Sequence, residues 1–268
     1  MTGQTGTPME RSIYEFPELF RRVHMERPGD IQREVKFLVQ VWSRYLKRPV
    51  RRLLDIGAGD SPHGQIFARQ GLAVVGIDRS PTMIAAGRAQ AAKNPRLKFY
   101  RRRIERFTLP EPPFDAAIFM SETFPIITRN ADLLTHLAAV ARALRSGGLY
   151  CIDIDRHAGV ELITQRRQWR ERKVRVGAIR IDVREFYRPI AWDEGLHSIY
   201  ELECRIHFAD RVVTTRDIIP VRYTTPTLMD LAARASGCFE MIACCADNRF
   251  DRPLARCRGR WLAVLRRK

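Results

Sequence analysis

One stretch decides how this chain of 268 residues folds: Leu53-Leu54-Asp55-Ile56-Gly57-Ala58-Gly59-Asp60-Ser61. Apolar residues typical of a buried strand lead into a carboxylate, and two glycines then allow the backbone to turn tightly. A second apolar segment, Leu72–Ile77, ends in Asp78, which follows Asp55 by 23 residues. A strand, a small-residue loop and a distal carboxylate make one βαβ unit, the layout that holds an adenosine.

Outward from this stretch, predicted strands and helices alternate. Helices are predicted over the first fifty residues, with Asp30 as an N-cap. Between the later strands, proline and glycine mark the ends of predicted helices over Pro62–Gln70, Pro81–Lys93 and Asn130–Arg145. The predicted strands are Arg52–Ile56, Leu72–Ile77, Leu97–Arg101, Asp115–Met120, Leu149–Ile154, Phe239–Ala246 and Arg260–Leu265. The fold class is therefore α/β: a doubly wound, Rossmann-like, seven-stranded and mostly parallel sheet.

The pattern changes after Asp155, where a helix is predicted over Glu161–Arg172 and antiparallel strands over Val174–Tyr187, Ser198–Phe208 and Arg211–Arg222. We expect an inserted antiparallel sheet between the fifth strand and the last helix. The predicted units are N-terminal helices that cap the cofactor site (1–50), the cofactor-binding core (51–156), the inserted sheet or substrate lid (157–222) and the last helix with two strands (223–268).

Composition narrows the class of protein. No run of eighteen apolar residues and no secretory signal are present, so we expect no membrane contact and a cytoplasmic location. Six cysteines show no metal-ligand spacing, so we expect structural thiols and no metal. The net charge of +17 comes from 41 arginines and only 6 lysines spread along the chain. Such a skew can follow genome base composition, so a nucleic-acid partner is the less favoured interpretation.

Two details argue against a nicotinamide dinucleotide. Pro62 occupies the place of the third glycine in G-x-G-x-x-G, and Asp55 stands two residues before the first glycine, where that pattern is apolar. The chain instead resembles class I S-adenosylmethionine-dependent methyltransferases. Four motifs carry the resemblance in order: Asp55-x-Gly57-x-Gly59-x-Ser61, Gly76-Ile77-Asp78-x-Ser80-x-x-Met83, Phe114-Asp115 and Leu144-Arg145-Ser146-Gly147-Gly148-Leu149.

The resemblance implies the cofactor S-adenosyl-L-methionine, the product S-adenosyl-L-homocysteine and a role for each matched residue. Asp78 would accept both ribose hydroxyls, Met83 would pack on the adenine, and Tyr14 matches an N-terminal tyrosine that relatives hold close to the cofactor. Arg103 replaces an acid that often binds the adenine amino group, which leaves the backbone of Ile104 and the side chain of Glu105 for this task. The full set of predicted cofactor-binding residues is Tyr14, Asp55, Gly57, Ala58, Gly59, Ser61, Asp78, Arg79, Met83, Arg103, Ile104, Glu105, Met120 and Ser121.

The sequence says less about the methyl acceptor than about the cofactor. Residues after the fourth and fifth strands face the acceptor in this fold, so Glu122 and His157 are the candidate catalytic bases. The inserted sheet resembles that of small-molecule N-methyltransferases, which implies a small acceptor, N- rather than O-methylated, with arginines between 166 and 188 suited to an anionic one. Self-association through the inserted sheet is a further expectation. An RNA or peptide methyltransferase and a non-catalytic cofactor-binding protein stay open as alternatives.

Overall fold

A computed structural model describes residues 11–24, 29–111, 113–155, 166–189, 197–257 and 259–268. Its helices are α1 (Pro17–His24), α2 (Asp30–Tyr45), α3 (Pro62–Arg69), α4 (Pro81–Ala91), α5 (Asn130–Ala143) and α6 (Pro226–Ala235). Its strands are β1 (Arg52–Ile56), β2 (Ala73–Asp78), β3 (Leu97–Arg101), β4 (Phe114–Phe119), β5 (Leu144–Asp155), β6 (Arg167–Val176), β7 (Ile179–Pro189), β8 (His197–His207), β9 (Val212–Arg222), β10 (Phe239–Ala246) and β11 (Arg260–Arg267). Short 3₁₀ turns cover Ile13–Glu15, Phe124–Ile126 and Leu254–Arg256.

The main sheet has seven strands in the order β10-β11-β5-β4-β1-β2-β3. The strands from β5 to β3 pair in parallel, whereas β11 runs antiparallel to both of its neighbours. The strand order reverses direction between β1 and β4, so the carboxyl ends of β1, β2 and β4 border the crevice where ligands bind in such sheets. The predicted fold class is confirmed.

Local sequence signals fix most helix starts. Ser80 caps α4 by accepting a hydrogen bond from the Met83 amide, and Thr225 caps α6 in the same way, each followed by a proline. The predicted cap at Asp30 is wrong by one position, because Gly29 is the N-cap of α2 and has a φ of +91°. Glycine adopts this left-handed conformation without the steric penalty that aspartate would incur.

The inserted sheet has four antiparallel strands in the order β6-β7-β8-β9. The predicted helix over Glu161–Arg172 is wrong where the structure describes it, since Arg167–Arg172 belongs to β6. The predicted strand Val174–Tyr187 is in fact interrupted by a two-residue turn at Gly177, whose φ is +58°. Arginines favour helices locally, but ladder hydrogen bonds to β7 and the Arg172–Glu185 ion pair decide the conformation here.

Three apolar clusters hold these layers together. Two of them lie on opposite faces of the main sheet, and their central residues are Leu54 and Tyr150 on one face and Leu53 and Cys151 on the other. The third cluster joins the inner face of the inserted sheet to the N-terminal segment, with Ile13 fully buried at its centre. The N-terminal segment and the inserted sheet thus share one apolar cluster, distinct from the two clusters of the main sheet.

Candidate active site

A side chain of the neighbouring strand lies so close to the glycine loop after β1 that the loop has no room for a Cβ atom at Gly57. Gly57 has a φ of +59°, and a Cβ atom there would lie 2.7 Å from Cε2 of Phe119. Gly59 has a φ of +55° and leaves space toward Met83, whose Sδ would be 3.8 Å from an added Cβ. Ala58 donates its amide hydrogen to the Ile77 carbonyl at 2.9 Å, which ties the loop to the end of β2. Only glycine fits the two outer positions without strain.

Asp78 closes the other side of this loop. Its Oδ2 accepts the Gly59 amide at 2.9 Å and its Oδ1 accepts the Ser80 amide at 2.8 Å. Burial raises the pKa of this carboxyl above its usual range, although the two amides act in the opposite direction. The side chain is only partly buried, so its carboxylate remains accessible to a ligand hydroxyl.

Asp55 lies deeper, at the end of β1. Its carboxylate is 3% exposed and accepts a hydrogen bond of 2.6 Å from the Ser61 hydroxyl. Burial raises the pKa of Asp55 to about 6, and the charge of Asp78 acts in the same direction. Ser61 itself has a φ of +57° and is fully buried. This strained serine is therefore held in place by the carboxylate that it contacts.

The N-terminal segment reaches this loop. Tyr14 packs on Phe20 with ring centroids 4.5 Å apart, and the pKa of its hydroxyl is raised by burial, then by the charges of Asp217 and Asp78. Asp217 of the inserted sheet also accepts a hydrogen bond of 2.6 Å from the Ser12 hydroxyl. Tyr14 is thus placed between the cofactor loop and the inserted sheet.

An ion pair adds a second tie between the N-terminal segment and the glycine loop, because Arg21 of α1 contacts the carboxylate of Asp60. Asp60 is 9% exposed, so this pairing is largely shielded on the carboxylate side. Together with Tyr14, it places α1 against the loop.

The residues after β2 and β3 line the next part of the crevice. Met83 is buried in the first turn of α4, and Arg79 is exposed directly after β2. Arg103 is also exposed and pairs with Glu105, with its Nη2 at 3.3 Å from Oε1. Ile104 is buried between them. The replacement of the usual acid by Arg103 is accommodated by turning that side chain to solvent.

The acceptor side of the crevice begins after β4. Met120 is buried in the core, whereas Ser121 and Glu122 are exposed with φ values of +59° and +56°. Glu122 forms an ion pair with Arg260, Oε1 to Nε at 3.4 Å. Two consecutive left-handed residues that are not glycine are strained, a feature concentrated at functional sites. The second candidate base, His157, lies outside the described residues.

A buried polar network that the sequence did not predict lies beside Asp55. Arg260 pairs with Glu34 of α2 and with Asp153 of β5, in the latter case with Nη1 at 2.7 Å from Oδ2. Glu34 also contacts His63 of α3 at 2.6 Å. Glu34, His63 and Asp153 are each less than 5% exposed.

The charges of this network depend on each other. Burial acts to raise the pKa of Glu34, but the hydrogen bond from His63 and the charge of Arg260 lower it overall. Burial raises the pKa of Asp153, and the Asp153 carboxylate in turn raises that of Arg260. One guanidinium thus holds carboxylates from three elements, Glu122 included.

Aromatic side chains form a group on strands β6, β7 and β8 of the inserted sheet. Tyr187 and Tyr200 pair across β7 and β8 with ring centroids 5.4 Å apart, and Trp169 meets Tyr187 edge-on at 6.0 Å. The pKa of the Tyr200 hydroxyl is raised by burial and then by nearby carboxylates, those of Glu185 and Glu122 among them. The loop that bears Glu122 also adjoins the glycine loop, since the Thr123 side chain lies 3.4 Å from the position of a Cβ atom at Gly57.

In the described ranges, no three His, Cys, Asp or Glu side chains are arranged to hold a metal ion. The helices that the structure describes include none of the length and apolarity needed to cross a membrane.

Solved structures share this fold over nearly the whole chain. A methyltransferase from Clostridium acetobutylicum described as S-adenosylmethionine-dependent superposes with a TM-score of 0.75 at 11% identity, covering 94% of this chain and 97% of that one. The amino pentose methyltransferase CalS10 of Micromonospora echinaspora gives 0.71 at 18% identity, covering 98% and 100%. The sugar N-methyltransferase KedS8 of a Streptoalloteichus species gives 0.70 at 21% identity, covering 98% and 96%. The fold is that of class I S-adenosylmethionine-dependent methyltransferases.

Sequence comparison supports the same class of protein for the core of the chain. Residues 53–148 match the family model described as a methyltransferase domain. A ubiquinone biosynthesis O-methyltransferase of Cereibacter sphaeroides is 28% identical over 144 residues, 52% of this chain and 57% of that protein. The chain thus spans about half the length of this curated relative. The resemblance drawn from the four sequence motifs is confirmed, while the roles of individual site residues stay predictions.

Proposed function

We propose that this protein transfers a methyl group from S-adenosylmethionine to the nitrogen of a small-molecule amine. One observation carries the proposal: the loop that bears Glu122 is a neighbour of the glycine loop, because the Thr123 side chain lies 3.4 Å from the position of a Cβ atom at Gly57, and the charge of Glu122 acts on the Tyr200 hydroxyl. A cofactor pocket and an acceptor pocket that meet in this way supply the proximity that methyl transfer needs.

The residues of the loop fit the cofactor. The carboxylate of Asp78, held at the loop by backbone amides, suits two vicinal ribose hydroxyls, and Asp55 places negative charge beside the loop for the cationic amino acid portion. When bound, S-adenosylmethionine supplies an electrophilic methyl group on a positively charged sulfur. Met83 offers an apolar, polarizable surface next to Gly59.

The acceptor side favours an amine. Aromatic faces and carboxylates attract an ammonium group, and Tyr187, Tyr200 and Glu122 provide both. An ammonium must lose a proton before its nitrogen lone pair can form a bond to the methyl carbon, and Glu122 would take that proton. The pair of electrons in the broken carbon–sulfur bond then stays on sulfur. Two of the similar structures are described as amino pentose and sugar N-methyltransferases, which supports an amino sugar as acceptor.

The test supplies isotopically labelled S-adenosylmethionine with a panel of amino sugars, other small amines and phenols, and counts label in product together with S-adenosylhomocysteine formed. We expect transfer to an amine. Transfer to phenols alone would support an O-methyltransferase, and label appearing only in RNA or peptide would refute a small acceptor. Cofactor binding without transfer to any acceptor would favour a non-catalytic protein.

The cofactor assignment is tested separately with Asp78→Ala. Loss of two charge-assisted hydrogen bonds, about 1.5–3 kcal/mol each, should weaken S-adenosylhomocysteine binding about a hundredfold or more by calorimetry. Asp210→Ala is the control, because Asp210 is an exposed carboxylate in the β8–β9 turn. Equal affinities of the two variants would contradict the site.

A further inference from the structure

His136 of α5 is a buried histidine that the proposed reaction does not use. It is 0% exposed, and both ring nitrogens have partners: Nδ1 lies 2.7 Å from the Ile104 carbonyl oxygen and Nε2 lies 2.7 Å from the Tyr150 hydroxyl. A carbonyl can only accept, so Nδ1 carries the proton and donates it, while Nε2 accepts from Tyr150. Burial lowers the pKa of His136 to about 4, so the ring is neutral near pH 7.

This contact fixes one peptide in the loop after β3. No cis peptide bond occurs in the ranges the structure describes, so the Ile104–Glu105 peptide is trans and its C–O and N–H bonds point in opposite directions. Because the Ile104 carbonyl oxygen points to His136, the Glu105 amide points away from it. The carboxylate of Glu105 accepts a hydrogen bond from its own amide, so it lies on that same side.

We infer that His136 is a positioning residue that sets the base specificity of the cofactor site, by holding the Glu105 amide and carboxylate toward the crevice. This inference rests on the proposed function. Adenine would exchange the internal hydrogen bond of Glu105 for two of its own, because its ring N1 accepts from the amide and its 6-amino group donates to the carboxylate. Hypoxanthine has the reverse pattern there, a ring N1–H and a 6-oxo group, and would leave both groups of Glu105 unmatched.

The location of the loop agrees with this role. Arg101 pairs with Asp78 in the β2–β3 register, and the Arg102 amide donates to the Asp78 carbonyl at 2.9 Å. Ile104 and Glu105 therefore follow closely on the carboxylate proposed to hold the ribose. Phe119 and Phe124 pack around His136 with ring centroids 5.7 and 6.0 Å away, so the ring has little freedom to turn.

The test uses two variants, each of which keeps a polar group at the place of only one of the two ring nitrogens. His136→Asn can still donate to the Ile104 carbonyl from the place of Nδ1, whereas His136→Gln reaches the place of Nε2 and leaves that carbonyl without its donor. Calorimetry gives the affinities of S-adenosylhomocysteine and S-inosylhomocysteine for the wild-type protein and both variants. The readout is the ratio of the two affinities, which a loss of stability alone does not change.

We expect His136→Gln to reduce this ratio five- to tenfold, the equivalent of about one net hydrogen bond, and His136→Asn to keep it within about twofold. Parallel losses of both affinities in His136→Gln, with an unchanged ratio, would overturn the inference alone. Failure of the wild-type protein to bind S-adenosylhomocysteine would overturn the proposed function and this inference with it. Tyr150→Phe keeps the Ile104 contact and should behave like His136→Asn.

Discussion

Acidification should destabilise the protein through His136. An unfolded histidine has a pKa near 6.5, whereas burial lowers that of His136 to about 4. Below pH 6.5 the unfolded chain therefore binds a proton at this histidine, whereas the folded protein does not bind it until the pH falls to about 4. The stabilisation is complete above the unfolded pKa and is lost as the pH falls between these two values.

The magnitude follows from the pKa gap. A gap of about 2.5 pH units corresponds to about 3.4 kcal/mol in full, of which about 2.5 kcal/mol is lost between pH 7.5 and pH 4.5. The side chain is fully buried, so solvent screening does not reduce this value. His24 adds a loss in the same window, while Asp55, with a pKa of about 6, acts in the opposite direction.

A difference measurement isolates His136. Urea unfolding of the wild-type protein and of His136→Asn from pH 7.5 to 4.5 gives the free energy of unfolding of each at every pH. The asparagine variant is less stable at pH 7.5, and its deficit should shrink by about 2.5 kcal/mol at pH 4.5, since it no longer resists protonation. Parallel curves for the two proteins would refute the assigned neutral, buried histidine.

Three more changes have definite expected outcomes. Gly64→Ala in α3 should lower the free energy of unfolding by about 2 kcal/mol, although alanine is the better helix former, because its Cβ would collide with Ser61 and lie 2.9 Å from Val74. A gain in stability in urea unfolding would contradict this packing. Arg260→Met should cost about 3–5 kcal/mol by leaving buried carboxylates unpaired, while the exposed Arg234→Met should change stability by under about 0.5 kcal/mol; similar values for both would contradict the network. S-adenosylhomocysteine affinity should fall about tenfold between pH 7.5 and 5 as Asp55 is protonated, and calorimetry of Asp55→Asn should give a flat profile.

Much of the cofactor side could be predicted from the sequence, because short-range patterns determine it. The glycine loop, Asp78 and the capped start of α4 are each specified within a few residues. The acceptor side is built from contacts between distant segments. Glu34 and Arg260 meet across 226 residues, and no periodicity or spacing records such a pair.

Two features escape sequence patterns for related reasons. Helix α5 is predicted from its periodicity, but the partners of His136 come from the loop after β3 and from β5, which no helical periodicity records. The segment Arg167–Arg172 is rich in residues that favour helices, yet it pairs with β7. Tertiary hydrogen bonds decide both outcomes.

The position of β11 has a consequence for how the chain acquires its structure. β11 follows every other described strand in the chain, yet it lies inside the main sheet between β5 and β10. Until it docks, β5 presents an open edge, and Glu34 and Asp153 lack the cation that Arg260 supplies. During synthesis, the strands of the cofactor half of the sheet can therefore pair early. The carboxylates of Glu34 and Asp153 gain their counter-charge only when β11 docks. Premature closure of the core is disfavoured by two carboxylates that would be buried without a counter-charge.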